Sequence, residues 1–317
     1  MEKGRENLSL MKEISKIWTG RIDGDGEEHL RWHQAMQYEI NPETKMVILG
    51  FACDEGVKRN KGRTGAKGGP EALRKACSNF PVHKKLNLAD LGDIICENQD
   101  LEKAQEELTN RVAEIQNQNL KSIVFGGGHE VMYGHFSGLR KAFPTQKIGI
   151  LNFDAHFDNR PIIPETGPTS GTGFWQIEKN YTNHAYLAIG IQENANTRAL
   201  FDFAHQTGTQ YLLGRDFYFK NEERILAVIN QFIAGIDVLY VTVCMDVFSA
   251  AFAPGVSATA YNGLIPDTFF QDIFRKIISD KKLKAFDIAE LNPVLDIDHR
   301  TAKLGASLVY EVVNAKK

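Results

Sequence analysis

Seven short apolar runs constrain the fold more than any other feature of the chain. They cover residues 46–52, 122–125, 148–153, 186–189, 211–213, 238–245 and 285–289, and glycine or acidic residues bound them. Most of the runs are continuous rather than alternating, which is the pattern of strands buried on both faces of a parallel sheet. The sequence therefore predicts a mostly parallel β-sheet with both of its faces covered.

Helical patterns lie between these runs. Residues 70–80 open with a proline, which suits the first turn of a helix, and residues 101–118, 217–233 and 267–279 carry apolar side chains at three- and four-residue spacing. Strands that alternate with helices imply right-handed βαβ units and a three-layer α/β/α sandwich. We expect one domain over residues 1–317, with residues 1–45 as a peripheral N-terminal extension.

Composition excludes several classes of function. The chain has 317 residues, of which 43% are apolar and 24% charged, and its net charge is −3, which argues against nucleic-acid and membrane-surface partners. No run approaches the roughly 18 apolar residues that span a bilayer, and the first residues lack the apolar core of a signal peptide. The four cysteines form no CxxC pair. We expect a reduced, cytoplasmic protein with a small-molecule partner, and the sequence leaves open whether it forms a homo-oligomer.

Polar segments follow four of the predicted strands. They are GGGHE at 126–130, DAHFDNR at 154–160, CMD at 244–246 and ELNP at 290–293. In open α/β sheets, ligands bind outside the carboxyl ends of the strands. We therefore expect these four segments to form one functional site.

The DAHFD segment has the character of a metal site. Asp154, His156 and Asp158 alternate, so an extended chain would project them from one face, and two carboxylates with an imidazole suit Mn²⁺, Fe²⁺ or Zn²⁺. Taken alone, the segment could instead be a polar turn that caps a helix, and His129 could simply end a glycine turn. The two motifs at neighbouring strand ends together favour a metal site.

The order GGGHE, DAHFD, CMDVFSAAFAPG and ELNP resembles the ureohydrolase family of arginases, agmatinases and formimidoylglutamases. The resemblance covers about residues 46–312 and implies an arginase-like fold. FACDEGVKRNKGRTGA at 51–66, SGTGF at 170–174 and APGVSA at 253–258 are most similar to formimidoylglutamases, whereas Phe174 stands where arginases place a histidine. The implied reaction is metal-dependent hydrolysis of N-formimidoyl-L-glutamate to formamide and L-glutamate in histidine degradation. Hydrolysis of another guanidino or amidino acid is the alternative.

The resemblance also implies a site with two Mn²⁺ ions, which lower the pKa of a shared water. The ligands of the first ion would be His129, Asp154 and Asp158, and those of the second Asp154, His156 and Asp246. Asp246 would also stabilise the ammonium that develops on the leaving nitrogen, and Glu290 would hydrogen-bond the amidino nitrogens.

Four residues are predicted to bind substrate. Arg160, two residues beyond the metal motif, suits a bidentate contact with a substrate carboxylate. Arg63, in a glycine-rich loop with Asn60, is a second candidate for this contact, and Ser170 opens the SGTGF segment. Either arginine could instead form a structural ion pair.

Cys244 departs from the family pattern. The family reads D-x-D where this chain reads Cys244-Met245-Asp246, so a thiol replaces the carboxylate that would bridge both metals. A bridging thiolate would favour softer ions such as Zn²⁺ or Fe²⁺. A protonated thiol would leave a weakened site that holds one metal firmly or loses metal readily. The third possibility is a metal-depleted, non-catalytic relative.

Overall fold

The computed structural model describes residues 13–315, and its central element is an eight-stranded, entirely parallel sheet. The strands are β1 (Met46–Ala52), β2 (Leu88–Ile95), β3 (Lys121–Phe125), β4 (Ile148–Phe153), β5 (His184–Ile191), β6 (Gln210–Leu213), β7 (Val238–Cys244) and β8 (Leu283–Ala289). Their order across the sheet is β2-β1-β3-β8-β7-β4-β5-β6. The predicted parallel sheet is confirmed.

Helices cover both faces of the sheet. They are α1 (Trp32–Ala35), α2 (Glu55–Arg59), α3 (Gly69–Cys77), α4 (Leu101–Asn117), α5 (Val131–Ala142), α6 (Gly173–Asn180), α7 (Arg198–Gln206), α8 (Glu222–Ala234), α9 (Thr268–Ile278) and α10 (Arg300–Asn314). One apolar core lies between the sheet and α3, α8, α9 and α10, and a second lies between the sheet and α4, α5, α6 and α7. The three-layer α/β/α sandwich is therefore confirmed.

The position of β8 brings the predicted motifs together. This last strand of the chain lies between β3 and β7, and β7 in turn pairs with β4. The four segments singled out in the sequence thus leave four consecutive central strands at the same edge of the sheet. Because parallel strands end at a common edge, loops far apart in sequence meet there.

Several local predictions need correction. Strand β2 was missed because Asp90 and Asp93 interrupt its apolar pattern; both carboxylates accept hydrogen bonds from the buried Arg74. The helix predicted over 217–233 is wrong in its first turn, where residues 219–221 form a separate 3-10 turn before α8 begins at Glu222. Helices α1, α2, α5, α6, α7 and α10 were not assigned from the sequence.

The segment before β1 packs on the sandwich over its described part. Residues 13–17 are helical, the Trp18 indole donates to Asp90 at 2.7 Å, and Trp32 stacks on Tyr310. Of the predicted extension 1–45, residues 1–12 lie outside the described residues, and the single-domain organisation stays a prediction. Within residues 13–315 no helix is long and apolar enough to cross a membrane.

Candidate active site

A glycine-rich loop after β3 positions His129. A β-carbon on Gly127 would lie 1.7 Å from the carbonyl oxygen of Cys53, at the end of β1, so only glycine fits this close approach. Gly128 N–H donates to the same carbonyl at 3.0 Å. The backbone N–H of His129 donates to Glu290 Oε1 at 3.0 Å. These bonds fix a fully buried imidazole between the ends of β3, β7 and β4.

The segment after β4 supplies three of the predicted ligands, although not as an extended chain. Residues 154–158 bend, and Asp158 has a φ of +46°, in the left-handed region. The prediction that extended alternation aligns Asp154, His156 and Asp158 is therefore wrong. The chain turns back on itself instead, with His156 N–H donating to Asp154 Oδ1 at 2.7 Å, as short acidic side chains do in turns.

Asp154 lies between two histidines. Its Oδ2 is 3.0 Å from Nδ1 of His129, and its Oδ1 is 3.6 Å from Nδ1 of His156. Asp158 Oδ2 lies 2.9 Å from the same nitrogen of His129. Asp246 Oδ2 lies 3.2 Å from Nδ1 of His156. One carboxylate thus presents an oxygen to each of two imidazole–carboxylate groups.

The electrostatics of these groups are strongly coupled. Burial opposes the ionised form of Asp154, but hydrogen bonds from both histidines hold its pKa well below the usual range. Burial likewise opposes the charged form of His129 and His156, yet the adjoining carboxylates raise the pKa of each imidazole well above its ordinary value. Burial and the charge of Asp154 raise the pKa of Asp158 and of Asp246. In the metal-free protein, protons therefore hold this carboxylate cluster together.

The same donor atoms fit divalent cations. Two trios of residues each bring their ligand atoms within 4.8 Å of one another. The first trio is His129, Asp154 and Cys244, and the second is Asp154, His156 and Asp246. Asp246 Oδ1 is buried and has no hydrogen-bond partner within residues 13–315, which is costly unless a ligand satisfies it. Imidazoles and carboxylates on a shared bridge suit borderline divalent ions.

Cys244 is the soft member of the first trio. Its side chain is 1% exposed at the end of β7. Burial raises the pKa of its thiol well above the usual value, and the charges of Asp154, Asp246 and Glu290 raise it further. Without a cation the residue is therefore a neutral thiol. A bound cation would act in the opposite direction and favour the thiolate.

Glu290 and Glu130 are two further buried carboxyl groups beside His129. Burial and the charge of Glu130 raise the pKa of Glu290 well above its ordinary value. Burial raises the pKa of Glu130 to about 7, and its Oε1 accepts a hydrogen bond from Gly56 N–H at 2.9 Å. Glu290 follows β8 with a φ of +66°. Few residue types adopt this backbone conformation, and the Glu290 carboxylate accepts a hydrogen bond from the backbone N–H of His129.

Three of the predicted substrate-binding residues lie together. Asn60 Nδ2 donates to Ser170 Oγ at 3.2 Å, and Arg160 N–H donates to the carbonyl of Gly171 at 2.9 Å. A β-carbon on Gly171 would lie 3.3 Å from both Asn60 and Arg160. The side chain of Arg160 is exposed, and no ion pair of it is observed within residues 13–315. This arrangement leaves its guanidinium available for a ligand.

Arg63 lies elsewhere on the rim. Its Nε and Nη2 donate to the carbonyls of Ser257 and Val256 at 2.9 and 2.8 Å. Asn292, on the loop after β8, donates to the carbonyl of Arg63 at 3.1 Å. These contacts tie two loops together. A structural role therefore accounts for Arg63 without a substrate.

Sequence reasoning missed the residues that orient the ligands. Asn152 Nδ2 donates to Asp154 Oδ2 at 3.1 Å and to the Tyr186 hydroxyl at 3.0 Å. Phe174 stacks on Tyr186 with ring centroids 3.8 Å apart and meets His129 edge-on at 6.0 Å. The available signal was Asn152, a lone polar residue inside the apolar run of β4. Its second partner, Tyr186, lies on β5, and that contact could not be read from spacing.

The fold and the site define a three-layer α/β protein with a buried imidazole–carboxylate cluster suited to divalent cations. The sequence model of the arginase family matches residues 44–314. The chain belongs to the arginase family.

Known proteins give more detail within that family. A formimidoylglutamase of Chromobacterium violaceum is 43% identical over 303 residues, which cover 94% of this chain and 97% of that protein. A formimidoylglutamase of a Geobacillus species is 42% identical and covers 93% of each chain. Among solved structures, a variant of Trypanosoma cruzi formiminoglutamase with Mn²⁺ superposes with a TM-score of 0.77 at 25% identity, covering 86% of this chain and 93% of that one. Formimidoylglutamase from Bacillus subtilis gives a TM-score of 0.80 at 19% identity, with 96% and 98% covered.

Proposed function

We propose that the chain hydrolyses N-formimidoyl-L-glutamate to formamide and L-glutamate in a Mn²⁺-dependent reaction. The observation that carries this proposal is Asp154, whose two carboxylate oxygens face His129 and His156 respectively. Relatives of the chain at about 40% identity are formimidoylglutamases. A carboxylate shared by two imidazole–carboxylate groups would hold two ions close together, as the chemistry of two-ion hydrolases requires.

The proposed ligands divide at Asp154. His129, Asp154 and Asp158 would hold one ion, and Asp154, His156 and Asp246 the other. Bound Mn²⁺ would lower the pKa of water toward neutrality and supply a nucleophile. Burial of the ligands strengthens this electrostatic effect, because the surroundings respond less than bulk water does.

The chain's own residues would then direct the reaction. Water adds to the formimino carbon, and the bond from that carbon to the glutamate nitrogen breaks as this nitrogen takes up a proton. The unpartnered Asp246 Oδ1 is available to accept a hydrogen bond from the nitrogen as it becomes an ammonium. Glu290, 5% exposed, would bind the second formimino nitrogen, and a cationic substrate would offset the carboxyl's reluctance to ionise.

The glutamate part of the substrate needs cationic and polar partners. Arg160 is the best candidate for its carboxylates, because the guanidinium is exposed beside Asn60 and Ser170. An arginine can bind a carboxylate through two parallel hydrogen bonds. We assign Arg63 a smaller part, because its donors already bond backbone carbonyls.

Cys244 makes metal stoichiometry the open variable of this proposal. With a thiol at position 244, Asp154 would be the carboxylate shared by both proposed ion sites, and the two ions would bind with unequal affinity. Loss of one ion would give an enzyme that depends on added Mn²⁺, and loss of both would give a non-catalytic family member. We favour the enzyme, because the remaining predicted ligands lie within ion-pairing distance of one another.

A direct assay tests the proposal. Purified protein is reconstituted with Mn²⁺, Fe²⁺ or Zn²⁺, and glutamate release from N-formimidoyl-L-glutamate is followed with glutamate dehydrogenase. Arginine, agmatine and a guanidino acid serve as competing substrates, with urea release as their readout. We expect turnover with Mn²⁺ and preference for the formimino compound.

Two comparisons make the result decisive. His156→Ala removes one proposed ligand and should reduce turnover to background, whereas His205→Ala changes a histidine on α7 that bonds Tyr211 and should leave turnover intact. If none of the three metals raises turnover above that of His156→Ala, the proposal is refuted. Elemental analysis with less than about 0.1 equivalent of metal after reconstitution would identify the non-catalytic relative.

A further inference from the structure

Asn152 is a polar residue in a strand that packing alone would fill with an apolar one. It lies in the otherwise apolar run of β4, and its side chain is 0% exposed. Its Oδ1 has no hydrogen-bond partner within residues 13–315, which is costly for a buried amide. A leucine has a similar volume and would fill the position without that cost. Core packing therefore does not account for the amide.

Both hydrogens of the Asn152 amide are used. Nδ2 donates to Asp154 Oδ2 at 3.1 Å and to the Tyr186 hydroxyl at 3.0 Å. Because a carboxylate only accepts, the nitrogen of the amide and not its oxygen must face Asp154. Residues two apart along an extended chain share a face, and this brings the amide of Asn152 to the carboxylate just beyond the end of β4.

Tyr186 holds the amide from its other side. The Tyr186 hydroxyl donates to the carbonyl of Phe157 at 3.3 Å, so its oxygen is left to accept from Asn152. The Tyr186 ring is held in turn by Phe174, which stacks on it with ring centroids 3.8 Å apart. Two bonds to acceptors that are themselves held fix the rotation of the Asn152 amide.

The two oxygens of Asp154 accept from different donors. Oδ1 accepts from the backbone N–H of His156 at 2.7 Å, and Oδ2 accepts from Asn152. Oδ2 also lies 3.0 Å from Nδ1 of His129, whereas Oδ1 lies 3.6 Å from Nδ1 of His156. A donor on each oxygen fixes the rotation of the carboxylate about its Cβ–Cγ bond. Loss of the Asn152 bond would leave a backbone donor on the Oδ1 side only.

We propose that Asn152 is a positioning residue that sets the rotation of the Asp154 carboxylate, so that Oδ2 serves the ion site of His129 and Oδ1 that of His156. The inference rests on the metal sites of the proposed function. Hydrogen bonds to a ligating carboxylate orient it, and their loss typically weakens metal binding about 10- to 100-fold. Because Asn152 bonds Oδ2, its effect falls mainly on the site of His129.

Mn²⁺ binding to the metal-free protein tests this, with the free-ion signal in electron paramagnetic resonance as the readout. Asn152→Leu removes both donors at similar volume. In a His156→Ala background, which keeps the site of His129, this change should weaken Mn²⁺ binding about 10- to 100-fold. In a His129→Ala background, which keeps the site of His156, the same change should alter the affinity by no more than a few-fold.

Gln116→Met is the matched control. Gln116 is also a buried amide with two donor bonds, to Ser122 Oγ at 3.0 Å and to the carbonyl of Lys284 at 2.9 Å, and its Oε1 is unpartnered within the described part of the chain. Its partners lie near the starts of β3 and β8, at the edge of the sheet opposite to the site. Gln116→Met should therefore bind Mn²⁺ like the parent, whatever its melting temperature.

Two fallback comparisons cover variants that fail. If the single-histidine variants bind no Mn²⁺, Asn152→Leu and Gln116→Met are compared in the parent, where only Asn152→Leu should weaken binding. If melting curves show that Asn152→Leu does not fold, Tyr186→Phe takes its place. That variant removes the hydroxyl that holds the amide but keeps the ring, and it should weaken the site of His129 more than that of His156.

The inference and the proposed function fail in different ways. Parent-like affinity of Asn152→Leu, equal losses in the two histidine backgrounds, or an equal loss in Gln116→Met would overturn the inference alone. A parent protein that binds Mn²⁺ but does not hydrolyse N-formimidoyl-L-glutamate would refute the proposed function and leave the positioning role standing on the binding data. A parent protein that binds no Mn²⁺ would remove both.

Discussion

Cys244→Asp would restore the carboxylate that the family pattern expects, at a cost to the metal-free protein. The ligand atoms of Cys244 and Asp154 lie within 4.8 Å. Two unit charges at that distance repel by about 3 kcal/mol at an effective dielectric constant near 20, and attraction to the protonated His129 of the same trio offsets part of this repulsion. Burial of the new carboxylate adds to this cost. Without metal, Cys244→Asp should therefore be less stable than the parent.

The expected shift is measurable. A chain of 317 residues unfolds with an entropy of about 0.7 kcal/mol/K, at about 2 cal/mol/K per residue. A loss of about 3 kcal/mol then lowers the melting temperature by about 5 °C. Excess Mn²⁺ should reverse the order, because tighter binding to the folded state raises its stability, and elemental analysis should give occupancy closer to two ions per chain than in the parent.

The matched control is Cys244→Asn, which has the shape of aspartate without its charge. Differential scanning calorimetry in EDTA and in excess Mn²⁺ compares the three proteins. Equal melting temperatures of Cys244→Asp and Cys244→Asn in EDTA, together with equal Mn²⁺ occupancy, would show that residue 244 does not face the ligand cluster. The electrostatic reasoning would then fail.

Three further outcomes follow from other parts of the site. Burial disfavours the imidazolium form, but neighbouring carboxylates raise the pKa of His129 and His156 well above normal. Mn²⁺ must therefore displace protons from these imidazoles when it binds. Calorimetry in two buffers should show this proton release, and the affinity for Mn²⁺ should increase from about pH 6 to about pH 8. Arg160→Ala should raise KM at least about 10-fold with little change in kcat, because it removes a contact made equally in the bound substrate and the transition state. Arg63→Ala should mainly lower the melting temperature. The reverse pattern would exchange the roles of the two arginines. Burial raises the pKa of Glu130 from 4.5 to about 7, so its contribution favours the folded state at low pH and is lost as pH rises through that interval. Metal-free Glu130→Gln should remove up to about 3 kcal/mol of this pH dependence from the free energy of unfolding. If chemical denaturation shows the same pH dependence in the variant and the parent, the assignment is contradicted.

The residue types of the site were readable in the sequence because they obey a local rule. Strand ends in a parallel sheet carry polar loops, and GGGHE, DAHFD, CMD and ELNP each directly follow an apolar run. Their side chains also have the chemistry of metal ligands. The family resemblance then supplied the division of His129, Asp154, His156 and Asp246 between two ions, which spacing alone did not.

The local rule failed where the tertiary structure overrides the pattern. Asp90 made β2 look polar, but the buried Arg74 pairs with that carboxylate. Alternation suggested that DAHFD is extended, but its ligands converge through a turn at Asp158. In both cases long-range contacts compensate for a residue that local propensity disfavours.

The apolar runs, their parallel arrangement and the candidate ligands were thus determined by the sequence itself, since burial on both faces leaves a direct compositional trace. What only the tertiary structure decided is which groups surround those ligands. Insertion of β8 between β3 and β7 places Asp287 beside Thr242, and Thr242 contacts His129 across 113 positions of sequence. Hydrogen bonds and charges act over a few ångströms of space, so their partners are fixed only when the strands have assembled.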